Sequence, residues 1–240
     1  MMNNSICIIP LRSKSKGIKN KNIKKILGIP LCMYVLHSAI KSKLFKKIII
    51  ASDSSKYFSI IKSFIPKLYL ERNEILFFKR SKKSSTDYAQ TEIVLYDILK
   101  NIKHYKYCYL LQATSPLLND YDLIKSFKIL KQNNYDSMFS AYKTQKFMWA
   151  KEKFFYSLNY NYKNRPMRQK KKCNYIESGA FYAFKVKEFM KYKNRLFGKI
   201  GVFEMPEERS IDIDVPKDFD HVSNYISKKF KKFNVTIKNK

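Results

Sequence analysis

The chain predicts an α/β fold, a mostly parallel sheet flanked by helices. Short apolar runs recur at 6–9, 48–51, 107–111, 138–141 and 180–184. Helix-spaced apolar faces lie between the early runs, and polar residues suited to ligand binding stand just after the runs. Strands alternating with helices build βαβ units and a parallel sheet. Such sheets bind ligands beyond the carboxyl ends of their strands.

The first run stops at Pro10. It is followed by Leu11-Arg12-Ser13-Lys14-Ser15-Lys16-Gly17 and then by Lys21-Asn22. That order describes a buried strand delivering a polyanion-binding loop to the sheet edge. Backbone N–H groups of such a loop point at phosphate oxygens while its cations neutralise charge. A basic surface turn reads similarly. The loop is neither a Walker A sequence nor a Gly-x-Gly-x-x-Gly fingerprint.

Tyr34, Val35, Leu36, Ala39, Ile40 and Leu44 form one helical face, and Val94, Leu95, Ile98, Leu99 and Ile102 form a second. Leu123, Phe127 and Leu130 form a third, capped by Asn119 or Asp120. Ser52-Asp53 and Gln112-Ala113-Thr114-Ser115-Pro116 each follow a strand. With Arg12 they form three polar clusters expected to converge on one edge.

Alternation breaks near residue 143. The stretch to 174 is polar, aromatic and basic without a helix period, as expected of an inserted arm. Gly179 permits a close backbone approach or an unusual φ, or is an ordinary strand glycine. A strand at 200–204 and a loop to 214 lead to a helix from about Pro216, a good first-turn residue. The expected division is a core of 1–142 and 176–230, an arm of 143–175 and a basic tail of 231–240.

A chain of 240 residues with 45% hydrophobic content supports one α/β domain. No apolar run approaches the roughly 20 residues of a membrane span, and no secretory pattern follows Met1. Cys7, Cys32, Cys108 and Cys173 form no C-x-x-C pair. Free thiols and a cytoplasmic location are expected. The formal net charge is +30. Nucleic-acid binding is the obvious reading of that charge, and a chain-wide lysine bias is the other. The lysines spread from Lys14 to Lys240 outside any nucleic-acid motif, so no specific nucleic-acid partner is expected. His37, His104 and His221 have no zinc-ligand spacing.

Asp212 and Asp214 alternate with Ile211 and Ile213. An extended segment puts both carboxylates on one face. Two close carboxylates repel unless a cation lies between them. Oxygen-only ligation with few protein ligands suits Mg²⁺ bound together with substrate phosphates. A solvated edge strand shows the same alternation.

Together these segments resemble the acylneuraminate cytidylyltransferases, which make CMP-sialic acid and related CMP-nonulosonates. The opening I-P-A-R-x-x-S-K-G-x-x-x-K-N pattern corresponds to 9–22. S-T-D corresponds to Ala51-Ser52-Asp53, and S-D-x-A-x-S/T to Thr86-Asp87-Tyr88-Ala89-Gln90-Thr91. L-L-Q-x-T-S-P-L-R corresponds to 110–118 and E-N-G-A-x-Y to 177–182, while S-I-D-I-D stands intact at 210–214. The matches run in order along most of the chain.

The resemblance implies a Rossmann-like, GT-A-like nucleotidyltransferase fold, CTP and a nonulosonic acid as substrates, Mg²⁺ and pyrophosphate release. It implies that Arg12, Lys16 and Lys21 hold the triphosphate, and that Ser15, Asn22 and Asp87 help place the nucleotide. Gln112, Ser115 and Glu177 would face the sugar, and Asp212 and Asp214 would hold the metal. Arg12, Lys21 and Asp214 are the expected catalytic residues. Arg165, Arg168 and Gln169 match an N-R-x-x-R-Q element, which implies that Arg165 and Gln169 also bind the sugar, and the arm implies a homodimer with a shared active site. Leu11, Lys14, Leu118, Ile176 and Ser178 depart from the pattern. Ile176 replaces an arginine and cannot bind a sugar carboxylate as arginine does. A CMP-octulosonate synthetase is the near rival. A basic nucleic-acid-binding protein and an inactive scaffold are rivals of other classes.

Overall fold

The computed structural model describes residues 4–13, 17–65, 74–86, 88–102, 104–170 and 172–238, with side chains through Lys229. Ser15, Lys16 and Asp87 therefore lie outside the described residues.

Among the described residues seven strands form the main sheet. They are β1 (Ser5–Leu11), β4 (Lys47–Ser52), β5 (Ile75–Lys79), β6 (Tyr107–Leu111), β7 (Ser137–Thr144), β10 (Asn174–Lys185) and β11 (Ile200–Glu204). Their order is β11-β7-β10-β6-β1-β4-β5. β1 pairs parallel with both β4 and β6, β4 with β5, and β7 with β11. Among the described strands of this sheet only β10 runs antiparallel, between β6 and β7. Two small hairpins stand apart, β2 (Lys25–Ile26) with β3 (Ile29–Pro30), and β8 (Trp149–Lys151) with β9 (Phe155–Ser157).

The helices are α1 (Leu31–Ser42), α2 (Ser55–Phe64), α3 (Thr91–Leu99), α4 (Asp120–Gln132), α5 (Val186–Tyr192) and α6 (Pro216–Lys238). The predicted faces map onto α1, α3 and α4. Asn119 caps α4, accepting from the Asp122 amide at 2.9 Å while Asp122 accepts from the Asn119 amide at 3.1 Å. Such a box contributes about 1 kcal/mol. The sequence reading did not single out β5, α2 and α5.

Helices cover both faces of the sheet, so its central strands are apolar on both sides. Cys7, Ile9 and Leu11 of β1 pack with α1, α2 and α4. Ile6 and Ile8 pack with Val94, Leu95 and Ile98 of α3 and Phe189 of α5. A third cluster joins Ile18, Leu31, Leu117, Ile213 and Phe219, which seats the 210–214 segment and α6 against the sheet edge. The β7–β10 ladder reaches Thr144 and Asn174, so the sheet extends into both ends of the predicted arm. α6 continues through Lys238, into the stretch read as a basic tail. Among the described residues no helix is long and apolar enough to cross a membrane. All four cysteines are free. Burial pushes the Cys7 and Cys108 thiols well above their ordinary range.

Candidate functional site

A cleft of about 340 Å³ opens at the carboxyl ends of β1 and β6 and is lined by Pro10, Arg12, Lys21, Asn22, Arg80 and Gln112, among others. Pro10 helps to create it. The β1–β6 ladder stops at Ile8↔Leu110, whereas β1–β4 continues to Leu11↔Ser52. Proline has no N–H for a further rung, so the strands part where the polar residues begin.

The loop after β1 is held at several points. Asp53 accepts from the Ser13 amide at 2.8 Å and the Ser13 hydroxyl at 2.7 Å. Burial alone would raise the Asp53 carboxyl. Its hydrogen bonds with Ser13 and the charge of Arg80 outweigh burial and hold it below the usual carboxylate range. Tyr57 Oη lies 3.3 Å from the Ser13 carbonyl and 3.4 Å from Asn20 Oδ1. Asn20 has φ 56°, a left-handed turn that asparagine tolerates. The buried Asn22 donates from Nδ2 to the Arg12 carbonyl at 3.0 Å. Gly17 packs so closely that an added Cβ would stand 3.0 Å from the Asp214 carbonyl oxygen. The Ser52-Asp53 cluster thus converges as expected, and Asp53 braces the loop.

Arg80 adds a cation that motif reading missed. It directly follows β5, so the strand-end rule finds it once β5 is recognised. Burial lowers its pKa, as does neighbouring Arg12, while Asp53 opposes the shift. Its Nη2 donates to the Ser84 carbonyl, and its buried Nε has no hydrogen-bond partner among the described residues. Arg12 donates to the Thr86 carbonyl at 3.1 Å. Two guanidinium groups held this near each other favour an anion between them.

Carboxylates face these cations. The 210–214 segment forms no ladder, yet its alternation survives. Ile213 is fully buried, and its amide donates to the Thr114 carbonyl at 2.8 Å. Asp214 is mostly exposed and accepts from Lys21 Nζ at 2.9 Å, while Lys21 also reaches the Ile213 carbonyl at 2.6 Å. Asp212 is more buried, and its Oδ1 has no hydrogen-bond partner among the described residues. Burial raises its pKa and the Asp214 charge adds to the rise, while a Thr114 hydrogen bond and Lys21 oppose it. Asp212 Oδ2 and Gln112 Nε2 both lie 3.9 Å from where a Gly179 Cβ would stand. Gly179 has φ +71°, so its freedom is used for conformation, and a Cβ there would meet both groups at ordinary contact distance.

Other expected residues spread further. Ser115 is 1% exposed, its Oγ has no partner among the described residues, and it is not a lining residue of the cleft. Glu177 accepts from the Tyr182 hydroxyl at 2.7 Å. Ser178 is buried and donates to Ser140 Oγ at 2.8 Å, so the departure from asparagine there serves the fold. Arg165 and Gln169 are exposed on the arm, outside the cleft lining. The Arg165 guanidinium lies over the Phe147 ring at 3.9 Å and donates to Tyr160 Oη at 3.3 Å. Among the described residues no group of three or more His, Cys, Asp or Glu could hold a metal. The Asp212/Asp214 pair supplies two carboxylates.

Comparisons with known proteins place the chain in a family and a fold. The profile of the cytidylyltransferase family matches residues 6–239. The post-translational flagellin modification protein B of Campylobacter coli is 32% identical over 240 residues, covering 95% of this chain and 97% of its own. The N-acylneuraminate cytidylyltransferase A of Danio rerio is 30% identical over 217 residues, or 88% of this chain. The N-acylneuraminate cytidylyltransferase of Streptococcus agalactiae serotype III is 28% identical over 227 residues, or 92% of this chain. The chain spans about half the length of these last two, 48% and 53%. Among solved structures, CMP:2-keto-3-deoxy-manno-octonic acid synthetase complexed with CTP superposes with a TM-score of 0.66 at 12% identity. That alignment covers 94% of this chain and 99% of the other, and at that identity it speaks for the fold.

Proposed function

The chain belongs to the cytidylyltransferase family, and from that premise we propose that it transfers CMP from CTP to the anomeric hydroxyl of a nonulosonic acid of the sialic, legionaminic or pseudaminic type. Pyrophosphate is released, and the product serves surface glycan or lipopolysaccharide synthesis. One observation carries the reading. A single cleft holds Arg12, Lys21 and Arg80 near Asp212 and Gln112, as joining a triphosphate to an acidic sugar requires.

The anomeric oxygen attacks the α-phosphorus as the bond to the β-phosphate oxygen breaks, and the hydroxyl proton passes to solvent. Two anions must approach in line, so positioning and charge neutralisation dominate. Arg12, Lys21 and Arg80 bind the phosphates and stabilise negative charge on the departing pyrophosphate. Asn22 fixes the backbone at Arg12. Gln112 orients the acceptor.

Asp212 and Asp214 would hold Mg²⁺. The fit rests on the unpartnered, buried Oδ1 of Asp212 and on Lys21, which lies on Asp214 as a countercation. Mg²⁺ commonly binds through one or two carboxylates together with substrate phosphates. When bound it would neutralise phosphate charge and lower the pKa of a ligated hydroxyl. The chain would act as a homodimer whose arm reaches the partner's cleft. Exposure of Phe154, Phe155 and Met167 at 74%, 67% and 66% supports this, since apolar surface of that kind marks interaction sites.

The test is pyrophosphate release from CTP, Mg²⁺ and a panel of nine- and eight-carbon 2-keto-3-deoxy acids. Release is expected only with all three components and preferentially with a nine-carbon acid. No release with sialic, legionaminic or pseudaminic acid overturns the proposal.

A further inference from the structure

β10 contains an irregularity with a chemical consequence. Its register with β7 shifts between Glu177↔Ala141 and Tyr182↔Phe139. In a regular strand, residues five apart stand about 16 Å apart on opposite faces. Here the Tyr182 hydroxyl donates to Glu177 Oε2 at 2.7 Å. A bulge re-aims side chains in this way. Gly179, at φ +71°, supplies the turn. The fold is pinned from below, where Ser140 Oγ accepts from both Ser178 Oγ at 2.8 Å and the Phe181 amide at 3.0 Å.

Tyr182 is itself seated. The Arg195 guanidinium lies 4.8 Å from its ring centroid. Arg195 is fixed by a two-pronged pair with Glu92, at 2.6 and 2.9 Å, both side chains being under 20% exposed. Glu92 is the second residue of α3, directly after Thr91, which lines the cleft. The series Glu92–Arg195–Tyr182–Glu177 therefore ties the cleft rim at α3 to the strand bearing Gly179, which lies between Asp212 and Gln112.

We infer that Tyr182 and Arg195 are positioning residues for the acceptor: Arg195, locked by Glu92, seats Tyr182, whose hydroxyl holds the Glu177 carboxylate where it accepts from a hydroxyl of the sugar acid. The inference rests on the proposed reading, which supplies the sugar acid, and adds Glu177 as a contact to it. Burial of a carboxylate–arginine fork and a tyrosine hydroxyl beside the cleft costs desolvation unless geometry is returned for it. An exposed glutamate left without this fixation would spread over its rotamers.

The experiment compares wild type with Tyr182→Phe, which keeps the ring and its contact with Arg195, and with Arg195→Lys and Arg195→Met. A hydrogen bond to a charged group is worth about 1.5–3 kcal/mol, or about 10–100-fold. Tyr182→Phe is expected to raise KM for the sugar acid by roughly that factor, leaving KM for CTP within about twofold and the melting temperature nearly unchanged. Arg195→Met should show the same split, partly rescued in Arg195→Lys. Equal changes in both KM values, or none in that for the sugar acid, overturn the positioning role alone. A wild-type chain that turns over no sugar acid overturns the parent function and this assignment together.

Discussion

The two halves of the expected site differ in how much one chain supplies. The cleft at the strand ends is self-contained. Arg12, Lys21, Asn22 and Arg80 converge there through backbone tethers, and Asp212 stands with Gln112 of the lining around Gly179. The arm is the reverse. Arg165 and Gln169 lie in solvent among exposed aromatics. The phosphate half is built on strand ends fixed by the sheet. The arm's β8–β9 hairpin has no sheet of its own to join, and isolated two-stranded hairpins are marginal in water. An apolar hairpin outside the core acquires a stable environment only from another surface.

Experiments on both regions break or sharpen this contrast. The largest effect is expected from Asp214→Ala. A mostly exposed carboxylate contributes little to packing, so the circular dichroism spectrum should match wild type. Turnover should fall at least about 10²–10³-fold, the usual cost of losing one charge-stabilising group. Retained turnover at saturating Mg²⁺ would remove Asp214 from the chemistry.

Next, Arg12→Ala should weaken CTP binding by about 10–100-fold while leaving the preference for cytosine over uracil unchanged. A calorimetric titration with both nucleotides reads the difference.

The arm is tested by complementation. Inactive Arg165→Ala chains mixed with inactive Asp214→Ala chains should regain about a quarter of wild-type activity, since a symmetric heterodimer with crossed arms has one intact site. No recovery after verified subunit exchange would place Arg165 in its own chain's site or outside catalysis. Trp149→Ser with Phe155→Ser should shift sedimentation toward the monomer.

The smallest effects are on stability. Asp53→Asn loses charge-assisted bonds with Ser13 and should lower the melting temperature by about 2–4 °C, equivalent to about 1 kcal/mol in a chain of this size. The Asp53 carboxyl titrates lower in the folded chain, so its contribution is full above the ordinary value of about 3.9. It fades as pH falls through the lower folded value. Asp212 has the opposite sign. Burial raises its folded value, so its charged form is a penalty that grows as pH rises above about 3.9. Asp212→Asn should therefore stabilise the metal-free protein near neutral pH and make no difference at pH 3, as melting curves across pH will show.

The sequence by itself determined what is set locally. The apolar runs, the three helical faces, the Asn119 cap and the position of the polar loop after β1 depend on neighbours within a turn or a strand, so they were legible in order. The alternation of Ile211, Asp212, Ile213 and Asp214 carried over too, on the loop expected after the strand at 200–204. Tertiary structure decided what depends on register between distant segments. It brought Arg80 to the cleft, made Asp53 a brace for Ser13, and buried Asp212 more deeply than Asp214. It also joined Glu92 to Arg195 across 103 residues and folded β10 so that Tyr182 meets Glu177. Residue type and spacing encode which face a side chain takes. Which partner it meets there depends on strand order, one bulge and one glycine, and those are settled only when the whole sheet assembles.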